Sequence, residues 1–317
     1  VGEFIHMRKQ EFQTEHQRGA FLTREIFDPS APRAAKIAAS TLISLCWPQT
    51  SNRIALFPTE DLEGTTEEKE HYEFCTRTVL DVMDDPKANF SLATDEYMLD
   101  QVTFGTSGSE IEEDEETKVA YTPWGVKHMC IDEGRKNMVD TIYLILPSNV
   151  KKLVKEYGID NVSPKTREDF YASKFKAKRT LIIAIEPREM RDPRKAGNQN
   201  MPFRSVHVEK ENKFKIKESG YDELPIKVTR FTKLSDEVYG RSLAMDAMPD
   251  VLQSNAMWET ATVAIEKSMD PPLGVYSDGV LGGGEIDTSP NAITVFNPTD
   301  QAKDRQPIFQ LQTIGEF

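Results

Sequence analysis

Apolar positions recur at helical spacing through the first third of the chain and at a spacing of two through its middle, which predicts a helical layer followed by strands. Glu3 to Ile26 reads as a helix with Phe12, Phe21 and Leu22 inward, broken by Pro29 and Pro32. Ala34 to Leu45 is a second helix, rich in small residues that let helices approach closely, and it stops before Pro48. Ile54 to Phe57 reads as a short strand. Thr65 to Met83 opens on a capping threonine with acids in its first turn and carries Phe74, Val79 and Met83 at helical spacing. Ser91 to Val102 continues the helical pattern toward Phe104 and Gly105.

Beyond this layer the period changes. Val126 to Ile131 and Val139 to Leu146 read as strands joined by a turn across Asp132 to Asn137. Two short helices follow: Asn149 to Tyr157, stopped by Gly158, and Ser163-Pro164 to about Lys174, a cap followed by proline in the first turn. Leu181 to Ile185 is short enough for a buried strand, and Glu186 to Asn200 is a loop rich in Pro, Arg, Gly and Asn. Ser205 to Glu209 and Phe214 to Lys217 alternate around Lys210 to Lys213 as a hairpin, and Ile226 to Arg230 completes a small sheet with them.

One long helix then runs from Ser242 to Asp270, roughly 40 Å at 1.5 Å per residue, kinked at Pro249 and ended by Pro271 and Pro272. Leu243, Ala247, Val251, Leu252, Ala256 and Ile265 approximate an apolar stripe. The other side holds Asp246, Asp250, Gln253, Asn255, Glu259 and Glu266. Leu273 to Tyr276 and Ala292 to Phe296 are strands flanking a segment with Gly282, Gly283 and Gly284. Such a triplet either forms a mobile loop or cradles a phosphate, but the Gly-Lys-Ser/Thr of a P-loop is missing.

Composition narrows the class. With 38% hydrophobic residues, mean hydropathy −0.52, net charge −13 and pI near 5.0, the 317 residues belong among soluble proteins, with length enough for more than one substructure. The charge is too acidic for a surface that grips nucleic acid throughout, because phosphate binding needs Lys and Arg. It fits either ordinary solubility or an acidic wall along which a duplex slides. The sign is also segregated: Ala172 to Lys217 holds 13 Lys and Arg against 5 Asp and Glu, so a basic end sits on an acidic body. That end is a solvated hairpin or a docking site for something acidic. Six acids fall in the seven residues from Glu110 to Glu116, which predicts an exposed loop or edge; the spacing of a calcium loop is absent.

Cys46, Cys75 and Cys130 are odd in number and widely spaced, so reduced thiols in a cytoplasmic setting are expected, and His128 beside Cys130 reads as packing. No apolar run is long enough to cross a membrane, no signal peptide is evident, and a start at Val1 reads as a fragment of a longer chain. No nucleophile elbow, zinc-protease or dinucleotide motif occurs. Carboxylates such as Asp140 or Glu186 leave a metal-dependent DNA-processing enzyme as an alternative.

The run E-V-Y-G-R-S-L-A-M-D-A-M-P-D (Glu237 to Asp250), with D-P-P-L-G-V and G-V-L-G some twenty residues on, resembles the head-to-tail connector, or portal, proteins of short-tailed bacteriophages (podoviruses). F-x-T-E-x-x-R (Phe12 to Arg18), F-G-T-S (Phe104 to Ser107) and N-M-P-F-x-S-V (Asn200 to Val206) match in the same order. The resemblance implies an α+β subunit with a wing over 1–147, a first stem segment over 148–180, a clip over 181–235, a long stem helix over 236–270, and a tunnel loop with wing strands over 271–317. The family's later wing and crown would be absent. It implies a homo-oligomeric ring, usually twelve copies, at one capsid vertex of the virion, assembled in the host cytoplasm. Double-stranded DNA would pass through it during packaging and ejection. Its other partners would be the packaging motor (terminase), the tail adaptor, and the major capsid and scaffolding proteins, with no membrane, cofactor, metal or active site. It places Arg188, Arg191, Arg194 and Lys195 at the exposed clip tip, and Ser277 through Ser289, with Asp278 and Gly282 to Gly284, in the tunnel loop. The long helix would line the passage with Asp246, Asp250, Glu259 or Glu266. A different ring or tube component of a virion is the nearest alternative.

Overall fold

The computed structural model describes residues 1, 4–5, 26–48, 53–57, 65–192, 194–195, 197–271, 273–276, 293–296 and 306–307. They form an α+β protein of two compact units, 1–22 with 30–248 and 23–29 with 249–317. The helix expected over Glu3 to Ile26 lies almost wholly outside the described residues.

In the first unit, helix α1 (Ser30–Cys46) begins earlier than the proline pattern suggested, because Pro32 falls in its first turn, where the missing N–H would have had no helical partner. Its buried Ala35 and Ala39 allow close packing on α3. Helix α2 (Thr66–Asp84) has the expected capping box, with Thr65 Oγ1 accepting from Glu68 N and the Glu68 carboxylate accepting from Thr65 N. The face expected to be buried is not: Phe74 and Val79 are exposed, and only Thr76 is buried. Residues 54–57 join no strand; Leu56 N instead donates to Thr76 Oγ1 at 3.0 Å. Helix α3 (Phe90–Phe104) buries Asp100 through Phe104 and stops at Gly105, whose φ of 74° is one that side-chain-bearing residues rarely adopt.

Strands β1 (Thr106–Asp114), β2 (Lys118–Gly125), β3 (Met129–Glu133) and β4 (Val139–Asn149) follow. After them come α4 (Val150–Tyr157), α5 (Pro164–Tyr171), β5 (Lys178–Pro187), β6 (Phe203–Glu209), β7 (Phe214–Tyr221) and β8 (Ile226–Arg230). They make two sheets, β3-β4-β5-β6-β7 and β2-β1-β8, both antiparallel. Two expectations change. The acidic run is not a loop: Glu110 to Asp114 belong to β1, the central strand of its sheet, and only Glu115 to Thr117 turn. The small basic sheet is also not separate. β5, β6 and β7 continue from β4, while Ile226 to Arg230 leaves them to pair with β1, because Ile226 there becomes fully buried.

The core lies between the sheets. Met129, Ile131, Ile142, Leu144 and Ile185 from the larger sheet meet Ile226, with Trp124 and Val228 packed against them. On that face of the larger sheet, α4 covers the other end through Leu153, with Val162 and Leu181. Ser163 caps α5 as its sequence position foretold, and Asn149, read as the first residue of α4, is its cap instead. Arg179 is buried between Asp169 (2.5 Å) and Glu209 (3.0 Å), which ties α5 to β5 and β6.

The predicted long helix is two. After the single turn α6 (Leu243–Asp246), Ala247 closes the turn and α7 (Met248–Met269) begins. Pro249 therefore stands in the first turn of a new helix, where proline fits, rather than kinking an old one, and the two units divide there. In the second unit Asn255, the one buried residue of α7, accepts from Phe27 N (2.8 Å) and Asp28 N (3.2 Å), and Ser254 donates to Asp28 (2.5 Å). The apolar stripe expected to pack on other helices is largely bare: Leu252, Ala256 and Ile265 are exposed, as is Leu243 on α6. Strands β9 (Leu273–Tyr276) and β10 (Ile293–Phe296), both foreseen, pair in parallel, and β11 (Gln306–Pro307) adds to β9.

Candidate functional site

The motif residues of the first unit meet in one place. Gly105 and Gly240, far apart in sequence, lie backbone to backbone. A side chain on Gly240 would overlap the Gly105 carbonyl, and one on Gly105 would strike the carbonyls of Arg241 and Gly240. The surrounding hydrogen bonds follow from this approach. Gly240 N donates to Thr106 Oγ1 (2.8 Å), Phe231 N to Gly105 O (2.8 Å), and Ser242 Oγ to Thr103 O (2.8 Å) while also capping α6. Arg241 and Thr232 exchange backbone bonds, and Arg241 holds Glu237 one helical turn's spacing away. Tyr239 Oη accepts from Ile131 N (3.2 Å). The Arg230 guanidinium joins Glu133, the Val238 carbonyl and the Asn137 carbonyl, with Lys233 on the same Glu133. The F-G-T-S and E-V-Y-G-R-S stretches are thus one buckle that locks the end of α3 to both sheets and to α6.

The loop between β5 and β6 carries the basic tip. Its base is fixed where Arg188 N donates to Pro202 O (2.8 Å) and where Gly220 leaves room for the Asn198 carbonyl and Met201, so the N-M-P-F residues rest on β7. The four cations proposed for the tip do not behave alike. The Arg188 side chain is only 12% exposed and reaches Glu218 and the Ser219 carbonyl, so it anchors the loop. Arg191, Arg194 and Lys195 stand in solvent, Lys195 near Asp192 at 3.8 Å, and Met190 beside them is 90% exposed. An open cavity of about 440 Å³ at the base is lined by Glu186, Arg188, Glu189, Met190 and Arg204, with Arg204 paired to Glu186.

Asp246, Asp250, Glu259 and Glu266 are all exposed. They do not share one face. Asp246 is on α6, and on α7 Asp250 lies roughly half a turn around the axis from Glu259 and Glu266. Ser277, Asp278 and Gly282 to Gly284 lie outside the described residues, as does the Phe12 to Arg18 motif. Among the described residues no group of three or more His, Cys, Asp or Glu could hold a metal, and Cys46, Cys75 and Cys130 are free. No helix among them is long and apolar enough to cross a membrane.

A carboxylate that sequence reading assigned to solvent proves to be inside. Glu110 is buried on β1 with Oε2 accepting from Trp124 Nε1 at 2.7 Å. Burial pushes its carboxyl up to about 7, against the pull of the Trp124 bond and with the aid of Glu112. The signal was the alternation of β1, which puts Glu110 on the face of Thr106 and Gly108; the density of acids concealed it.

Motif residues used for backbone packing, with charge displayed on loops and helices, define an α+β protein whose motif stretches hold its architecture together. The chain belongs to the family of bacteriophage head to tail connecting proteins, whose sequence profile matches residues 1–314. It is 26% identical over 265 residues to "Probable portal protein" of Bordetella phage BPP-1, a match covering 83% of this chain and 47% of that protein. It is 25% identical over 278 residues to "Portal protein" of Salmonella phage epsilon15, covering 86% of this chain and 50% of that one. The chain spans about half the length of these curated relatives.

Proposed function

We propose that the chain is a portal subunit: copies close into a ring, usually of twelve, at one capsid vertex, through which double-stranded DNA is packaged and ejected. The observation that carries this reading is family membership along nearly the whole chain. The buckle at Gly105 and Gly240 agrees with it, since the shared motifs serve architecture rather than chemistry. A closed ring of identical chains needs two different complementary faces on each. The bare apolar residues of α7 suit one of them. In this reading the segments act as wing (1–147), first stem segment (148–180), clip (181–235), a stem segment carrying α6 and α7 (236–270) and tunnel loop with wing strands (271–317). The acids Asp246, Asp250, Glu259 and Glu266 face the passage or a neighbour, where negative charge repels the duplex and lets it slide. Ser277 through Ser289 approach the DNA. No catalytic step is required, and the packaging motor, tail adaptor, capsid and scaffolding proteins dock outside.

The test is the solution mass and the particle image of the purified chain. A ring appears as a closed annulus about an order of magnitude heavier than the 36.0 kDa subunit, and a chain that stays monomeric at high concentration overturns the reading. For the tip, Arg191→Glu with Arg194→Glu reverses charge at two solvent-facing sites and leaves the Arg188 anchor intact. Motor or adaptor binding is expected to weaken by at least about tenfold, most at low salt, and unchanged binding removes the tip from the docking surface.

A further inference from the structure

The face of β1 turned toward the five-stranded sheet carries Thr106, Gly108, Glu110 and Glu112 in alternation. At Gly108 the two sheets touch, since a side chain there would press on Met129 Sδ and Ile226. Two residues on, the same face bears a carboxyl where a half-buried strand ordinarily carries an aliphatic group. Glu110 is only 8% exposed, and it belongs to a cavity of about 270 Å³ in the seam where the cover of β1 and β2 over the larger sheet gives way to that of α4. Leu144, Leu146 and Ile183 form an aliphatic wall, while exposed Glu112, Lys152 and Glu156 stand at the mouth. The remaining polar liners bring no positive charge to the interior. His207 is engaged by the Tyr157 hydroxyl at Nδ1 (2.8 Å) and by Ser205 Oγ at Nε2 (3.2 Å), and burial holds it down to about 4; Tyr221 is a phenol that burial keeps neutral.

We propose that this cavity binds the cationic head of a small organic amine or guanidine. The charge sits against Glu110 and Glu112, and a short hydrocarbon stem lies along Leu144, Leu146 and Ile183. Three carboxyls against one lysine select a cation over an anion. The aliphatic wall selects an organic cation over a hydrated metal, which would need several more oxygen or nitrogen ligands than the buried floor offers. Because burial favours the protonated form of Glu110 near neutrality, a cation that ionises it expels a proton, and binding tightens as pH rises through about 7. The head can come from a free small molecule or from a lysine or arginine of a second copy; the chemistry recognised is the same.

Calorimetric titration of the full chain with n-butylguanidinium and n-butylammonium, near pH 7 in two buffers of different ionisation enthalpy, tests this. One saturable site per chain with proton release is expected. Glu110→Gln should weaken it by at least about tenfold and Glu112→Gln by less, with Glu113→Gln, on the opposite face of β1, unchanged. Should Glu110→Gln fail to fold, Glu112→Gln at the exposed mouth carries the same comparison. The absence of saturable heat for both probes, equal affinity for neutral n-pentanol, or undiminished binding in both variants overturns the proposal. Sedimentation with and without n-butylguanidinium separates the sources. A fall in mean mass identifies a side chain of another copy as the natural occupant, and an unchanged mass identifies a free small molecule.

Discussion

The two-sheet body and helix α7 answer the same hydrophobic effect in opposite ways. Ile142, Leu144 and Ile185 are 0 to 1% exposed inside the body, whereas Leu252, Met257, Trp258, Val263, Ile265 and Met269 on α7 keep 41 to 77% of their surface in water. A buried side chain of this size contributes about 1.5–3 kcal/mol, so the body stabilises itself while the helix forgoes most of that gain. Apolar surface left bare on this scale has its counterpart elsewhere, and in the proposed ring that counterpart is a neighbouring subunit. In that proposed ring the body is complete in itself and the helix supplies half of an interface.

The comparison breaks most severely at the buckle. Gly240→Ala forces a methyl group into the Gly105 carbonyl, and neither partner can retreat, because Thr106, Phe231 and Arg241 hold both backbones in place. A loss of more than about 3 kcal/mol is expected, read as a shifted denaturant midpoint or as failure to accumulate folded protein. A near-neutral result would mean that the two glycines do not approach as described. Core and helix substitutions sharpen the contrast at the next level. Leu153→Ala removes a fully buried side chain and should cost about 2–5 kcal/mol. Ile265→Ala in the dispersed chain should cost within about 0.5 kcal/mol and instead lower the mass of any assembly. If Ile265→Ala destabilises the dispersed chain as much as Leu153→Ala does, the helix is already partnered within its own chain.

Why the sequence foretold one region better than the other follows from the range of the forces involved. Caps at Thr65 and Ser163, the stop at Gly158, and the strands at Leu181 to Ile185 and Ile226 to Arg230 rest on neighbours a few residues away, and each formed. Strand partners rest on distant residues. Nothing local tells Ile226 that it belongs beside Glu110 rather than beside the hairpin it follows. Pro249 was legible as a backbone interruption, but whether it bends one helix or starts another depends on Ala247 and the residues before it. At the tip, charge alone could not separate Arg188, an anchor to Glu218, from Arg191 and Arg194, which point to water. Glu110 was hidden for the opposite reason, since composition around it spoke for solvent while its alternation spoke for the core.

The smallest expected effect is the pH dependence of the parent chain itself, because two titrations inside the body oppose each other. Burial raises Glu110 from an ordinary 4.5 to about 7, so its contribution to stability is full below about 4.5 and is lost as pH climbs through about 7. Burial lowers His207 from 6.5 to about 4, so its contribution is full above about 6.5 and is lost as pH falls toward about 4. Between those limits the slopes have opposite sign and the parent chain shows little of either. Glu110→Gln removes one and leaves the other: relative to the parent, the variant should gain urea resistance between about pH 5 and about pH 8. His207→Gln should behave in reverse, gaining relative to the parent as pH falls from about 6.5 to about 4. Parallel midpoint curves for parent and both variants would place both side chains in water. That would dissolve the distinction between a sealed body and an open helix at the point where the body holds titratable groups in its interior.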